Sequence, residues 1–405
     1  MNTPFTMQFS DFCSPEFHAD PYPLYRQLRE AGTLVRLAPT LWVSGRYDVC
    51  DAALRDRRMG RAYMNAVRAR YGDETAQGPV FASFAKMMLM MNPPDHTRLR
   101  SLLMKAFNAS QAGKLVETVQ RIADKLVDRV AGARSFDLMR DYAVPLPLEV
   151  ICHLLDVPSD GGIDFGTTIG DLVQTLELAP MNPARLEAAN AAVRRLEDHF
   201  RPILRERRQR PGDDLISRLL QVEDGDRMTE EEILANIILL FLAGHETTSN
   251  MMGNALVALH RHPEQLIEVL QDPALLPGAI AECIRYDGSV QLSARGVLED
   301  MEIDGIALPR GHTVYLFLGA ANRDPAAFAH PDRLDIHRPL KDQRALTFGG
   351  GLHHCLGARL AQIEMEVGLG TLLRRIPDLR ISNLGDLRWH PRNTLRGVES
   401  LRAAW

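Results

Sequence analysis

The stretch FGGGLHHCLGARLAQIE, residues 348–364, places three successive glycines before a cysteine and a regular helical pattern after it. Glycine permits backbone angles and close approaches that other residues forbid, so this loop can turn its N–H groups toward a sulfur atom. Cys355 would lie at the start of the helix, where the positive end of the helix dipole favours a thiolate over a thiol. The stretch therefore predicts a cysteine sulfur that is held by a tight loop and can bind a metal.

Two other interpretations of Cys355 compete with this one. A lone cysteine is most often a small buried residue of the core. A zinc site could use His353, His354 and Cys355, but three adjacent side chains do not readily point at one metal. No second pair of ligands follows at the spacing of a zinc finger.

The stretch also resembles the haem-binding signature F-G-x-G-x-H-x-C-x-G of the cytochrome P450 family. Six residues occupy its specified positions: Phe348, Gly349, Gly351, His353, Cys355 and Gly357. The resemblance implies that Cys355 is the proximal ligand of haem b, that His353 contacts a haem propionate, and that Phe348, Gly349 and Gly357 surround the cofactor. A thiolate ligand donates strongly to haem iron and promotes O–O cleavage. The implied fold is mainly α with small β-sheets, a triangular helical prism around a buried haem in one domain, 1–405.

A second stretch, IILLFLAGHETTSN at 237–250, is an apolar helix interrupted by Gly244 and followed by an acid and two alcohols. Glycine and threonine weaken a helix interior, so a local opening there would leave a pocket for a small ligand. An acid beside a hydroxyl can relay protons into a dry cavity. The alternative is a core helix that emerges at the surface, with ETTSN as its solvated end.

This helix resembles the A-G-x-E-T segment of the family's long distal helix. The resemblance implies that Thr247 bonds the iron-bound dioxygen, that Glu246 feeds the proton chain, and that Ala243 and Gly244 lie against the haem. The intact acid–alcohol pair favours chemistry with O₂ over dedicated use of peroxide. Other positions of the family's substrate site correspond here to Phe84, Leu239, Leu242, Ala243, Val290, Gln291, Thr394 and Leu395.

Charged residues complete the resemblance. Glu282 and Arg285 lie three apart on one helix face, a pattern that is usually an exposed pair worth at most about 1 kcal/mol. The family's E-x-x-R motif instead implies a buried network of Glu282, Arg285 and Arg338 that holds the cysteine loop. His96 and Arg100, four apart on another helix, and Arg295 would bind the haem propionates; each taken alone is more often a solvated basic residue.

The chain has no flavin or iron–sulfur motif, so its electrons would come from a partner. The family implies a ferredoxin with its reductase, or a flavodoxin, as the donor. Such an acidic partner would dock on basic residues around the thiolate face. Candidates are Arg98, Lys105, Arg344 and Arg359, for which ordinary surface charge is the alternative.

The amino-acid composition limits the class of protein and the partners that it can have. The chain has 405 residues, a net charge of −5 and 45% hydrophobic residues, which suits a large core and does not suggest nucleic acid or an anionic membrane as a partner. Its five cysteines are odd in number and scattered, so a disulfide framework is not expected. The start shows no signal peptide, and the longest apolar run, 237–244, is too short to cross a bilayer. We expect a cytoplasmic monomer.

Apolar periodicity divides the rest of the chain into short strands and long helices. A hairpin is predicted over 34–45 and further strands over 293–318, whereas 60–94 and 158–183 resist assignment and are either binding loops or surface connections. Helices are predicted at 46–56, 95–108, 112–131, 138–155, 184–209, 213–223, 230–260, 263–271, 276–287 and 355–374.

The predicted activity is insertion of one atom of O₂ into a hydrophobic small molecule, with a secondary-metabolite intermediate as the substrate. Four alternatives stay open: a peroxide-driven peroxygenase, a fatty-acid hydroxylase, a haem-free structural protein, and a haem-based sensor or binding protein without turnover. The first would tolerate Thr247→Ala, and the last would bind ligands but release no product.

Overall fold

The computed structural model describes residues 7–107, 112–159, 162–221, 227–339, 342 and 344–405, and every structural statement below concerns these residues. The α-helices are α1 (Pro15–Ala19), α2 (Tyr22–Ala31), α3 (Tyr47–Arg55), α4 (Tyr63–Thr75), α5 (Pro79–Phe84), α6 (Asp95–Ala106), α7 (Ala112–Val130), α8 (Pro145–Leu155), α9 (Phe165–Val173), α10 (Pro183–Gln209), α11 (Leu215–Gln221), α12 (Glu230–Arg261), α13 (Pro263–Gln271), α14 (Leu276–Tyr286), α15 (Leu318–Ala321) and α16 (Ala358–Arg375). The strands are β1 (Val35–Ala38), β2 (Leu41–Ser44), β3 (Met59–Gly60), β4 (Ser135–Asp137), β5 (Leu292–Val297), β6 (Met301–Ile303), β7 (Ile306–Leu308), β8 (Thr313–Phe317), β9 (Arg380–Ile381) and β10 (Arg402–Ala404).

Five strands form the main sheet, in the order β1-β2-β8-β5-β3. β1 and β2 are the hairpin predicted over 34–45, with its turn at Pro39 and Thr40. β2 runs parallel to β8, with Val43 opposite Tyr315, and β8 pairs antiparallel with β5. β5 carries Arg295, so this sheet presents one of the predicted haem contacts to the helical part of the molecule.

Helix α12 runs through the centre of the helical part. A capping box begins it: the Thr229 hydroxyl accepts from the Glu232 N–H, and the Glu232 carboxylate accepts from the Thr229 N–H. Its 32 residues span about 48 Å at 1.5 Å per residue. Its N-terminal half packs with α5, α9 and α10, and its C-terminal half packs with α14 and α16. Helix α8 packs along its middle, where Ile151 contacts Gly244. The large cavity described below lies where these two cores meet.

The opening expected within α12 is absent. The helix continues through Gly244 and Thr247 without a break. A Cβ at Gly244 would lie 2.8 Å from the Ile151 side chain, so α8 packs tightly against this turn. Tertiary packing of this kind outweighs the weak helix propensity of glycine and threonine.

The predicted helices agree with the structure, whereas the two unassigned segments contain helices that were not predicted. The ten predicted helices are present, with two main differences at their starts. Helix α8 begins at Pro145 rather than at residue 138, after a π-helical segment at Met139–Ala143, and α16 begins at Ala358 rather than at residue 355. The predicted ends at residue 108 and at 222–223 lie outside the described residues. The unassigned segment 60–94 contains α4 and α5, and 158–183 contains α9. Short, interrupted helices of this kind give too little periodicity to be recognised from sequence.

Candidate functional site

The cysteine loop closes on itself ahead of α16. The Cys355 N–H donates to the Phe348 carbonyl oxygen at 2.9 Å. Gly351 has a φ of 62°, and a Cβ there would overlap the Leu54 carbonyl oxygen, so this position requires glycine. The loop therefore holds Cys355 three residues before the first residue of the helix.

The Cys355 side chain is exposed to the cavity but otherwise surrounded by protein. Burial raises the pKa of its thiol, while the Gly357 N–H and the charge of Arg100 act in the opposite direction. The net shift is upward, so the helix start alone does not favour the thiolate as the sequence suggested. A metal cation bound at this sulfur would supply the missing stabilisation, because a coordinating thiol loses its proton to the metal.

The cavity joins the cysteine loop to α12. It has a volume of about 430 Å³, and both Cys355 and Thr247 lie in its wall. Six of the eight predicted substrate contacts line it: Leu239, Leu242, Ala243, Val290, Thr394 and Leu395. Most of the wall is apolar, so the cavity suits a hydrophobic occupant and disfavours bulk water.

The other two predicted substrate contacts lie outside the described cavity wall. Phe84 is fully buried and stacks on Tyr63 with ring centroids 6.0 Å apart, so Tyr63 faces the cavity in its place. Gln291 accepts from the Tyr25 hydroxyl at 3.0 Å and donates to the Gly288 carbonyl at 2.6 Å. Its amide is satisfied within the core, which corrects the prediction for both residues.

The two unassigned segments both contribute to the cavity wall. From 60–94 come Tyr63 and Arg70 of α4, and from 158–183 comes Glu177. The Arg70 guanidinium donates to the Glu177 carbonyl oxygen at 3.0 Å, which ties the two segments together. The binding-loop interpretation of both segments agrees with these positions.

Basic side chains gather at one edge of the cavity. The rings of His96 and His353 lie 4.2 Å apart. Burial, with Arg100 and Arg61 adding to it, lowers the pKa of His96 to about 4, and burial and the same cationic neighbourhood lower the pKa of His353 to about 2. Burial also lowers the pKa of Arg295 to about 10. The cluster brings together all four predicted propionate contacts.

Arg61 belongs to the same cluster and was missed by the sequence analysis. Burial and the nearby Arg295 lower the pKa of its guanidinium well below the usual range. The Asn92 amide holds the Arg61 backbone from both sides, accepting from its N–H at 2.7 Å and donating to its carbonyl at 2.8 Å. Arg61 lies in the unassigned segment, so no helical or strand pattern marked it.

These residues fit a haem. In the described part of the chain, the two ring nitrogens of His96 and the Nε atoms of Arg61 and Arg295 are buried without a hydrogen-bond partner. Buried cations and donors are normally paired, so this group calls for an anionic partner. A porphyrin provides two carboxylates at one edge of a flat apolar ring. The apolar wall and the Cys355 sulfur suit the rest of the group.

The predicted acid–alcohol pair is split between two environments. The Thr247 side chain lines the cavity, and its hydroxyl donates to the Ala243 carbonyl oxygen at 2.7 Å. Glu246, by contrast, is not among the residues of the described wall. Its carboxylate pairs with Arg392, a partner that the sequence did not suggest.

Glu364 of α16 is a buried acid in the cavity wall. It is 2% exposed, and its Oε1 atom has no hydrogen-bond partner among the described residues. Burial raises the pKa of its carboxyl to about 8, and a hydrogen bond with Thr248 only partly opposes the shift. The neutral acid is therefore the favoured form near pH 7.

Glu364→Gln should flatten the pH dependence of stability. A carboxyl with a raised pKa contributes stability that is present below its unfolded pKa of about 4.3 and is lost as pH rises through 8. Between about pH 5 and pH 8 the unfolding free energy of the unsubstituted protein should fall relative to the variant, by at most about 1.4 kcal/mol per pH unit. Parallel melting curves measure this, with Glu366→Gln on the same helix as the control. A constant difference between the two proteins across this range would contradict the assignment.

The predicted network of Glu282, Arg285 and Arg338 forms. Arg285 donates to both carboxylate oxygens of Glu282 at 2.7 and 2.9 Å, and Arg338 donates to Glu282 Oε2 at 3.0 Å. The Asp335 N–H adds a fourth bond at 3.0 Å. Glu282 and Arg285 are at most 1% exposed, which separates this pair from an ordinary surface pair.

Asn322 connects this network to the cysteine loop, and sequence reasoning missed it. Its carbonyl oxygen accepts from Arg285 at 2.9 Å. Its side-chain oxygen accepts from the Leu346 N–H at 2.7 Å, and its side-chain nitrogen donates to the Thr347 hydroxyl at 2.9 Å. Both contacts immediately precede Phe348, so the network reaches the residue that closes the loop.

The four candidate docking residues are not equivalent. Arg98 of α6 forms an ion pair with Glu232 of α12, so its charge is partly neutralised. Lys105, Arg344 and Arg359 are exposed. These exposed positions are compatible with a basic face.

The described residues contain neither a membrane-spanning helix nor a cluster of metal-ligating side chains. No helix combines the length and the hydropathy needed to cross a bilayer. No three His, Cys, Asp or Glu side chains in the described ranges are grouped to hold a metal ion, so His353, His354 and Cys355 do not form the three-ligand site considered above.

Comparisons with known proteins agree with this geometry. The family model for cytochrome P450 matches residues 163–376. A putative cytochrome P450 133B2 of Xylella fastidiosa (strain 9a5c) is 46% identical over 398 residues, covering 98% of this chain and 99% of that protein.

Solved structures extend the similarity to the fold. P450BioI in complex with a hexadec-9Z-enoic acid ligated acyl carrier protein is 33% identical with a TM-score of 0.89, covering 97% of this chain and 100% of that one. CxnD, a cytochrome P450 for C–S bond formation in chuangxinmycin biosynthesis, is 30% identical with a TM-score of 0.89, covering 100% and 98%. The predicted mainly α fold with small sheets is confirmed.

Proposed function

Because the chain belongs to the cytochrome P450 family of haem-thiolate monooxygenases, we propose that it oxygenates a hydrophobic small molecule of secondary metabolism at haem b bound through Cys355. One atom of O₂ enters the substrate and the other is reduced to water with two electrons and two protons. The observation that carries the proposal is the single cavity wall that contains Cys355, Thr247 and an apolar lining.

The cofactor supplies iron at which dioxygen binds and is reductively activated. The chain's own residues would hold and orient that group. His96, Arg100, Arg295 and His353, together with Arg61, would pair with the propionates, because they form one cationic cluster at the cavity edge. In this cluster the ring nitrogens of His96 and the Nε atoms of Arg61 and Arg295 are buried without a partner among the described residues. Phe348, Gly349 and Gly357 would lie against the ring on the cysteine side, and Ala243 and Gly244 on the opposite side.

Two residues of α12 would manage protons. The Thr247 hydroxyl, already bonded to the Ala243 carbonyl, can hold a proton donor at the cavity wall. Glu246, one residue earlier, would take up protons from outside the cavity and pass them on toward Thr247. The apolar lining keeps bulk water away, so proton transfer depends on these groups.

The choice of substrate rests on the cavity and on the relatives. Leu239, Leu242, Val290, Thr394 and Leu395 offer mainly apolar contacts. CxnD acts in the biosynthesis of chuangxinmycin, and P450BioI was solved with an acyl carrier protein that bears a fatty acyl chain. We place the substrate among secondary-metabolite intermediates, with a fatty acyl chain as the second candidate. A ferredoxin with its reductase, or a flavodoxin, would supply the electrons at the basic face.

The test begins with the carbon monoxide spectrum of the reduced protein, which should show the thiolate-type absorption band. A spin-state titration against a library of apolar metabolites, with free hexadec-9Z-enoic acid included, then identifies ligands. Each ligand is incubated with NADPH, a surrogate ferredoxin and its reductase under isotopically labelled O₂. Incorporation of one labelled atom per product supports the proposal. Product with peroxide alone would indicate a peroxygenase, and binding without product would indicate a sensor.

A further inference from the structure

The carboxylate of Glu246 is held by a residue far away in sequence. Arg392, in the segment 392–395 near the C-terminus, forms an ion pair with Glu246 Oε1. The two side chains are 10% and 13% exposed, so water screens the pair only weakly. Such a buried pair fixes geometry, because the guanidinium is rigid and always charged.

The ion pair with Arg392 uses one oxygen of the Glu246 carboxylate and leaves the other oxygen free in the described part of the chain. Glu246 Oε2 is buried and has no hydrogen-bond partner among the described residues. The oxygen bound to Arg392 is occupied, so Oε2 is the atom that can accept and release a proton. Arg392 thereby determines both the orientation of the acid and which of its oxygens is reactive.

The segment that carries Arg392 is itself anchored. The Asn393 and Thr394 N–H groups donate to Glu177 Oε2 at 2.7 and 3.2 Å. The Thr394 hydroxyl donates to the Leu176 carbonyl oxygen at 2.9 Å. The Gln291 N–H donates to the Thr394 carbonyl oxygen at 2.9 Å.

The same segment reaches the cavity, since Thr394 and Leu395 belong to its wall. We propose that Arg392 is a positioning residue that holds Glu246 for proton delivery, from a segment that also contacts the occupant of the cavity. The inference rests on the proposed function, because it assigns a partner to the acid of that reaction. Arg392 acts through Glu246 and is not among the residues of the described cavity wall.

Four variants test this role: Arg392→Met, Arg392→Lys, Glu246→Gln and the double variant of Arg392→Met with Glu246→Gln. Arg201→Met is the matched control, because Arg201 pairs at 2.7 Å with Glu230 at the other end of the same helix and lies outside the described cavity wall. Each purified haem-loaded protein is first checked for its reduced carbon monoxide spectrum. If the unsubstituted protein lacks the thiolate-type band, the proposed function fails before Arg392 is examined.

Two rates are then compared, with hexadec-9Z-enoic acid as the probe. One is oxygen consumption driven by NADPH, a surrogate ferredoxin and its reductase, which needs proton delivery. The other is oxidation of the dye ABTS driven by hydrogen peroxide, which brings its own protons. Arg392→Met should lower the first rate about tenfold or more and leave the second within about twofold.

The Arg392→Lys variant and the double variant show whether Arg392 positions Glu246 or only stabilises the fold. Arg392→Lys should recover most of the oxygen rate, and the double variant should be no slower than Glu246→Gln alone, because Arg392 acts through that acid. Arg201→Met should change neither rate. The proposal is overturned if Arg392→Met consumes oxygen normally, if both rates fall together, or if the double variant shows additive losses.

Discussion

Replacing Cys355 with alanine is expected to abolish the thiolate-type carbon monoxide spectrum of the reduced protein and all oxygen-dependent turnover. The sulfur lies in the cavity wall, and its loop is closed by the bond from the Cys355 N–H to the Phe348 carbonyl. That bond uses only the backbone, so the loop can persist in the variant without the sulfur. The loss should therefore be chemical rather than structural, and it should be complete, because no other described cysteine belongs to this wall.

Cys152→Ala is the matched control for this prediction. Cys152 is 2% exposed and packs in the core near α9 and α12, and burial raises the pKa of its thiol to about 12. It should behave as a small apolar residue, with normal cofactor content and a normal spectrum. Retention of the thiolate-type band in Cys355→Ala, or its loss in Cys152→Ala, would refute the assignment of the iron ligand.

Glu282→Ala is expected to yield little haem-loaded protein. Removing this carboxylate takes away the buried anion that Arg285 and Arg338 share. Breaking a buried ion pair in this way costs about 3–5 kcal/mol, a large part of the stability of a typical domain. The Arg285 contact with Asn322 carries the disturbance on to Leu346 and Thr347, just before the cysteine loop.

Glu268→Ala provides the comparison for the buried network. Glu268 pairs with His337 at 2.7 Å, but the two side chains are 45% and 56% exposed. Such a surface pair contributes at most about 1 kcal/mol, so this variant should express, load haem and melt nearly normally. Haem content and melting temperature of both variants are the measurements. Equal behaviour of the two would show that burial of Glu282 does not stabilise the loop.

Much of the site was predictable because its residues lie close together in sequence. The spacing from Phe348 to Gly357 indicated the cysteine loop, and the pair Glu282 and Arg285 lies on adjacent turns of one helix. The stretch from Ala243 to Thr247 likewise marked the cavity side of α12, although the expected opening of that helix is absent. Local spacing is informative here because a helix or a tight loop fixes the relative positions of nearby residues.

Other members of the site come from segments with no such regularity. Arg61, Asn322 and Arg392 each lie outside the helices and strands. Each contacts a partner more than 20 positions away: Arg61 contacts Asn92, Asn322 contacts Leu346, and Arg392 contacts Glu246. Phe84 and Gln291 were predicted as substrate contacts but lie outside the described cavity wall. Their positions in sequence suggested the cavity, whereas Tyr63 covers the first and core hydrogen bonds hold the second.

The amino-acid sequence by itself indicated ten of the helices, the cysteine loop, the Glu282–Arg285 pair and hence the resemblance to the family, since these depend on spacing within single elements. Only the tertiary structure added Arg61 to the basic residues at the cofactor edge, placed Tyr63 rather than Phe84 in the cavity wall and paired Glu246 with Arg392. Those relations arise where separate segments pack together. Packing depends on the volume, shape and polar pairing of the whole core, which no local pattern records.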